Sequence, residues 1–296
     1  MRIIDAHMHY FEVDGFKMLA REAGHENTAA CWQQICEDND IVFSVAMGNS
    51  YVPNPRFGGV TPRVIDLAAP FNCEHFNQPD NMGYCLGVES DMMTVKNAEK
   101  TAQEFEYYLT HDKHCVGIKF YMGYNNVYLN DPRHQPLFEL AKQYQVPVAM
   151  HSGETANHHG KLKYAHPLTV DDAATEHPDV KFVICHIGNP WIPDAIVTAA
   201  KDENVYLDLS GLLVGKITDE FLQEQAGYFE YLWMWMKYLD NWEKFLYGSD
   251  WPLVNIPDNI KVLGSLVPEK YQDLFFYQNA LHVYSRIKDC LPVDVK

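Results

Sequence analysis

Five side chains, far apart in the sequence, have the types that bind a divalent cation and move protons beside it. The first two lie in Asp5-Ala6-His7-Met8-His9. In an extended strand, side chains two apart share a face, so His7 and His9 can enter one cavity together. Two imidazoles at that separation are a natural pair of ligands for one divalent ion. Alone, a H-x-H pair is a weak signal. Three further runs strengthen it: Val146–Met150 leads into His151, Phe182–Cys185 into His186, and Phe245–Ser249 into Asp250. Gly117-Ile118 leads in the same way into Lys119. Polar groups set against apolar runs are costly to desolvate without a partner, so each is expected to have a use.

The elements that would position them repeat along the chain. Apolar or β-branched runs occur at Ile3–Ala6, Ile41–Met47, Tyr84–Val88, Val116–Tyr121, Val146–Met150, Val180–Cys185, Val205–Leu209 and Phe245–Tyr247. Nearly every interval is long enough for one crossover helix. Ala98, Ala102, Phe105 and Leu109 form one helical stripe before the fourth run. Leu137, Leu140, Ala141 and Tyr144 form another after Asp131-Pro132, which has the cap and first-position chemistry of a helix start. Thr169 with Asp172 resembles a capping box, and Pro178 is a stop. Tyr228, Leu232, Trp235 and Leu239 form a stripe of the kind used for core or subunit contact. Continuous apolar strands alternating with helices predict an α/β fold with a parallel sheet, and eight repeats predict a distorted (β/α)8 TIM barrel. The carboxyl ends of its strands meet at one mouth, where polar groups have a use. Two long connections, Gly48–Met82 and Ser210–Glu243, are expected to line or cover that mouth. No linker or low-complexity tract divides the chain, so one domain over 1–296 is expected.

Composition narrows the function. The 296 residues are 47% hydrophobic and 21% charged, with 23 Lys+Arg against 40 Asp+Glu for a net charge of −17. That average surface repels nucleic acid and anionic membranes and leaves a small-molecule substrate as the expected partner. The seven cysteines are odd in number and contain no C-x-x-C pair, so reduced thiols in a cytoplasmic protein are expected. Asp5 and His7 interrupt any signal-peptide core, and no apolar run has the length of a membrane span. There is no G-x-S-x-G elbow, phosphate loop, dinucleotide fingerprint or H-E-x-x-H helix.

Taken with Gly117-Ile118-Lys119, His151-Ser152-Gly153-Glu154, His186-Ile187-Gly188-Asn189-Pro190-Trp191, Asn204–Asp208 and Gly248-Ser249-Asp250-Trp251-Pro252, the opening block resembles the amidohydrolase superfamily, specifically the amidohydrolase-related group of metal-dependent hydrolases and carboxy-lyases. The resemblance spans essentially the whole chain. It implies a metal held by His7, His9, His151 and Asp250, with His186 beside it. Asp250 would also take the proton of a metal-activated water, and His186 would polarise the substrate carbonyl or pass a proton to the leaving group. One divalent ion is expected, zinc foremost, with Mn, Fe or Ni compatible with the same ligands. Lys119 is expected to stay free and bind an anionic substrate; a carboxylated Lys119 would bring a second metal. A homodimer also follows from the resemblance.

Hydrolysis of a small, carboxylate-bearing substrate is the leading expectation. Decarboxylation and hydration or lactone opening use the same site parts, and a metal-stabilised binding protein without turnover is the alternative of another class. Asp5 shares the parity of His7 and is read either as orienting a ligand or as satisfying a buried hydrogen bond. Glu154, Trp191 and Trp251 either reach the pocket or belong to loop packing, while His158 and His159 sit in a polar, solvated loop.

Overall fold

A computed structural model describes residues 1–11, 14–48, 79–156 and 158–291. Each apolar run identified above forms a strand: β1 (Ile3–Met8), β2 (Ile41–Met47), β3 (Met82–Val88), β4 (Cys115–Phe120), β5 (Val148–Met150), β6 (Phe182–Ile184), β7 (Val205–Asp208) and β8 (Phe245–Leu246). They pair in parallel, in sequence order, from β1 to β8. Val42 apart, every strand residue is buried, because one face lines the barrel interior and helices cover the other. The architecture is a nearly closed (β/α)8 TIM barrel. Its seam between β8 and β1 is joined by individual backbone bonds. Ala6 N donates to Tyr247 O at 2.9 Å, Asp250 N to His7 O at 2.8 Å and His9 N to Trp251 O at 2.7 Å.

The helices are α1 (Asp14–Ala23), α2 (Ala29–Asp38), α3 (Ala98–His111), α4 (Gln135–Tyr144), α5 (Leu168–Glu176), α6 (Ile192–Lys201), α7 (Asp219–Glu224), α8 (Ala226–Leu239), α9 (Ile256–Ser265), α10 (Asn279–Val283) and α11 (Ile287–Cys290). The predicted stripe of α3 is buried throughout. Asp131 caps, but it caps a 3-10 turn over Pro132–His134 that precedes α4. The capping box expected at Thr169 does not form. Thr169 lies inside α5, and its hydroxyl donates to His166 O at 2.8 Å, which takes it away from the cap. In α8, Leu232 is buried, while Tyr228, Trp235 and Leu239 pack partly buried against the core. Most of the Gly48–Met82 connection lies outside the described residues; its last residue belongs to β3. No helix among the described residues is long and apolar enough to cross a membrane.

Two apolar layers result. The outer one packs alternate strand residues, such as Leu86, Ile118, Phe182 and Leu207, against the helices. The inner one fills the barrel with Ile4, Ala6, Phe43, Val45, Val116, Ala149 and Val183. Tyr277, Leu281, Tyr284 and Ile287 from the C-terminal helical segment join this layer. A register shift in β1 between Asp5 and Met8 breaks the strand's alternation, as bulges beside functional sites do. Met8 therefore joins the outer layer.

Phe105 is fully buried in the outer layer, and Phe105→Ala is expected to cost about 3–5 kcal/mol of unfolding free energy. Val197→Ala, at an exposed position of α6, is expected to stay within about 0.5 kcal/mol. Urea unfolding midpoints check both.

Candidate metal centre

The seam brings the two ends of the barrel together at the mouth. His7 lies within the bulge near the end of β1, His9 follows the strand's last residue, Met8, and Asp250 follows β8. His9 Nε2 lies 3.1 Å and His7 Nε2 3.5 Å from Asp250 Oδ1. The three residues form a group whose ligand atoms all lie within 4.8 Å of one another. His7 Nε2 and Asp250 Oδ1 are buried and make no hydrogen bond. Leaving such atoms unpaired is costly in a protein interior, and a cation between them removes the cost.

Protonation states suit that role. Burial, reinforced by the nearby Lys119 ammonium, lowers His7 to about 4, so its imidazole is neutral at pH 7. Burial pushes the Asp250 carboxyl up, but His9, His186 and His7 together outweigh it and hold the group below the usual carboxylate range. A neutral nitrogen and an ionised carboxylate are the donors a divalent ion takes without first displacing a proton.

His151 and His186 stand beside this group, delivered by β5 and β6. His151 is outside the three-residue set and connects to it through His186. The His151 Nε2 lies 3.1 Å from the Glu154 carbonyl, and His186 Nδ1 lies 3.0 Å from the Ser210 carbonyl. Carbonyl oxygens only accept, which puts a proton on each outer nitrogen. The inner atoms, His151 Nδ1 and His186 Nε2, are 3.1 Å apart. Burial lowers both groups, so two neutral rings turn lone pairs towards each other. A cation or a shared proton relieves that contact.

Backbone strain collects in the same place. His186 (φ 60°), Ile187 (φ 46°) and Asp250 (φ 63°) occupy the left-handed region, where a β-branched residue such as Ile187 is an outlier.

The spacing argument gave no role to Asp208 and Ser210. Asp208 is fully buried at the end of β7, with Oδ2 2.9 Å from His7 Nδ1. Its Oδ1 accepts from His186 N at 3.0 Å and Ser210 N at 3.1 Å, and the Ser210 hydroxyl donates to the same oxygen. Burial would raise this carboxyl, but His7, His186 and Lys119 hold it well below its ordinary range. The available signal was an acid closing an apolar strand, the placement that singled out Asp250.

Lys119 is fully buried, with Nζ donating to Cys185 Sγ at 2.9 Å and lying 5.3 Å from the Tyr121 ring centroid. Cys185 also falls within ligand distance of His7 and Asp208, but burial raises its thiol well above the ordinary value.

Asp5 does not follow the parity of His7. Past the bulge the two diverge, and Asp5 accepts from Ser249 Oγ at 2.5 Å, Ser249 N at 3.0 Å and His7 N at 3.2 Å. Burial pushes its carboxyl up to about 7 against those bonds. The Glu154 side chain is exposed and only its carbonyl meets the site. Trp251 is fully buried, its ring 5.0 Å from Trp32 and 5.9 Å from His25 between centroids, so it packs under a loop. Trp191 is half-buried, its ring tilted against His166 at 4.7 Å between centroids, and His158 and His159 are exposed.

A family model described as amidohydrolase matches residues 92–286. No curated protein matches the chain. Among solved structures, one described as a probable 2-pyrone-4,6-dicarboxylic acid hydrolase from Acinetobacter baumannii, with citric acid bound, is 19% identical with a TM-score of 0.59, covering 96% of this chain and 100% of its own. A zinc-bound amidohydrolase from Burkholderia multivorans is 12% identical with a TM-score of 0.63, covering 99% and 100%. The 5-carboxyvanillate decarboxylase of Sphingomonas paucimobilis is 13% identical with a TM-score of 0.55, covering 96% and 99%. At these identities the likeness shows the shared fold.

Gly211 tests how tightly the centre is built. A Cβ there would fall 2.7 Å from His186 Nδ1 and 2.9 Å from Asp250 Oδ2, at a φ of +67°. Gly211→Ala is expected to cost about 1–2 kcal/mol from the backbone alone and to lower the divalent metal retained per chain. Unfolding midpoints and metal analysis after dialysis measure the two effects.

Proposed function

The chain belongs to the amidohydrolase family, and from that premise we propose that it is a metal-dependent hydrolase of a small, carboxylate-bearing substrate. The observation that carries this reading is the pair of buried ligand atoms without a hydrogen bond, His7 Nε2 and Asp250 Oδ1, facing each other beside His9. His7, His9 and Asp250 would hold the ion, with His151 completing the set. Imidazoles with one carboxylate favour zinc, and the zinc-bound Burkholderia multivorans structure supports that choice. When bound, such an ion lowers the pKa of a water and polarises a substrate oxygen.

The side chains do the rest. Asp250, ionised at neutral pH, accepts the proton released by the attacking water. His186, whose inner nitrogen carries a lone pair beside His151, takes up the proton that Asp250 accepted and, once protonated, polarises the substrate carbonyl or hands that proton to the leaving group. The Lys119 ammonium supplies positive charge that draws in an anionic substrate, which the chain's −17 would otherwise repel. We assign a single ion, with Lys119 a free ammonium that donates to Cys185 and not a carboxylated ligand of a second metal.

A carboxy-lyase reading uses the same parts: in place of water attack, His186 Nε2 takes up a proton from solvent and passes it to the substrate carbon, whose bond to the carboxylate breaks to release CO2. The likeness to 5-carboxyvanillate decarboxylase supports keeping it as the second reading.

Purified protein is expected to hold one zinc per chain, and His7→Ala to lose metal and turnover together. Two ions per chain, or full activity in metal-free His7→Ala, would overturn the assignment. His186→Asn is expected to keep its metal while kcat falls about 10²–10⁴-fold. In a screen of small lactones, esters, amides and carboxylic acids, released CO2 identifies the lyase and a water-addition product the hydrolase.

A further inference from the structure

We propose that Asp208 is the positioning residue that holds His7 in the tautomer whose bare nitrogen is Nε2, the one able to bind a cation beside Asp250. The inference rests on the reading of His7 as a ligand. A neutral imidazole has one proton and two nitrogens, and binds a metal only through the nitrogen without the proton. His7 Nδ1 has two neighbours, Asp208 Oδ2 at 2.9 Å and Ser210 Oγ at 3.0 Å. The ionised carboxylate can only accept. The Ser210 hydroxyl spends its single proton on Asp208 Oδ1, so it too offers Nδ1 a lone pair. With acceptors on every side, Nδ1 carries the proton and Nε2 the lone pair. Nε2 is the atom left without a hydrogen bond, 3.5 Å from Asp250 Oδ1.

The other oxygen of Asp208 makes this selection difficult to reverse. Oδ1 accepts from the backbone N–H groups of His186 and Ser210, which have no second protonation state. An amide replacing the carboxylate therefore has one satisfied orientation. Its oxygen stays with the two backbone donors, and its NH2 group turns to His7. Facing a donor, Nδ1 becomes the acceptor, and the proton moves to Nε2. The side chain keeps its shape, and the ligand atom is lost. Asp208 also ties this choice to His186, whose left-handed backbone it anchors through the same oxygen.

Asp208→Asn is the test, with zinc as the probe. Nitrogen-15 NMR of the metal-free protein, with the His7 signals assigned by their loss in His7→Gln, reads the tautomer without any activity assay. The wild type is expected to show an unprotonated Nε2, and Asp208→Asn an unprotonated Nδ1. Competition with a chromophoric chelator is expected to give about 10–100-fold weaker zinc binding in Asp208→Asn. Ser210→Ala, which keeps the carboxylate, is expected to retain the wild-type tautomer. A protonated Nε2 in the metal-free wild type overturns the proposal, as does wild-type zinc affinity in Asp208→Asn. If Asp208→Asn does not fold, the wild-type and Ser210→Ala spectra decide. Failure of the wild type to bind zinc would strike the metal reading, while the tautomer would still be read from the same spectra.

Discussion

The seam where β8 meets β1 is the constraint on which the rest depends. The backbone bonds from Tyr247 through Trp251 to β1 set residues 7, 9 and 250 side by side. Asp5 reinforces the junction, because one carboxylate gathers donors from His7 and Ser249 on both sides of it. The bulge in β1 lets a single strand serve both needs: Asp5 fastens the seam, and His7 turns into the mouth. The centre is thus assembled by closure of the barrel, and its geometry is as good as that closure.

Electrostatics inside the mouth run against the surface average. The chain is strongly acidic, yet Asp208 and Asp250 lie buried among three uncharged imidazoles and one ammonium. Two carboxylates in a small volume repel, and Lys119 offsets part of that repulsion from inside the barrel. A divalent cation offsets more, which is why the same atoms that are unsatisfied without it make a coherent set with it.

Much of the fold was legible in the sequence, for a physical reason. A parallel strand buried on both faces must be apolar from end to end, so all eight runs stood out, and the α3 stripe followed from its period. His7, His9, His151, His186 and Asp250 were legible because each breaks an apolar run at its C-terminal end. The remainder depended on contacts between distant parts of the chain. Nothing local marks the bulge that separates Asp5 from His7, or the use of Glu154 through its carbonyl alone. Asp208 closes β7 as visibly as Asp250 follows β8, but its partner is 201 residues away, and only the folded barrel reveals the pairing. The cap expected at Thr169 failed because a nearby carbonyl competed for the hydroxyl.

The left-handed residues at the ends of β6 and β8 have a wider consequence. His186, Ile187 and Asp250 each hold a conformation that other residues would relieve, at a cost of about 1–3 kcal/mol apiece. A directed search for heat-tolerant variants would be drawn to these very positions, since relaxing them is a ready source of robustness. Every such gain would come out of the placement of a working group, so durability and turnover in this barrel are traded at the same few residues.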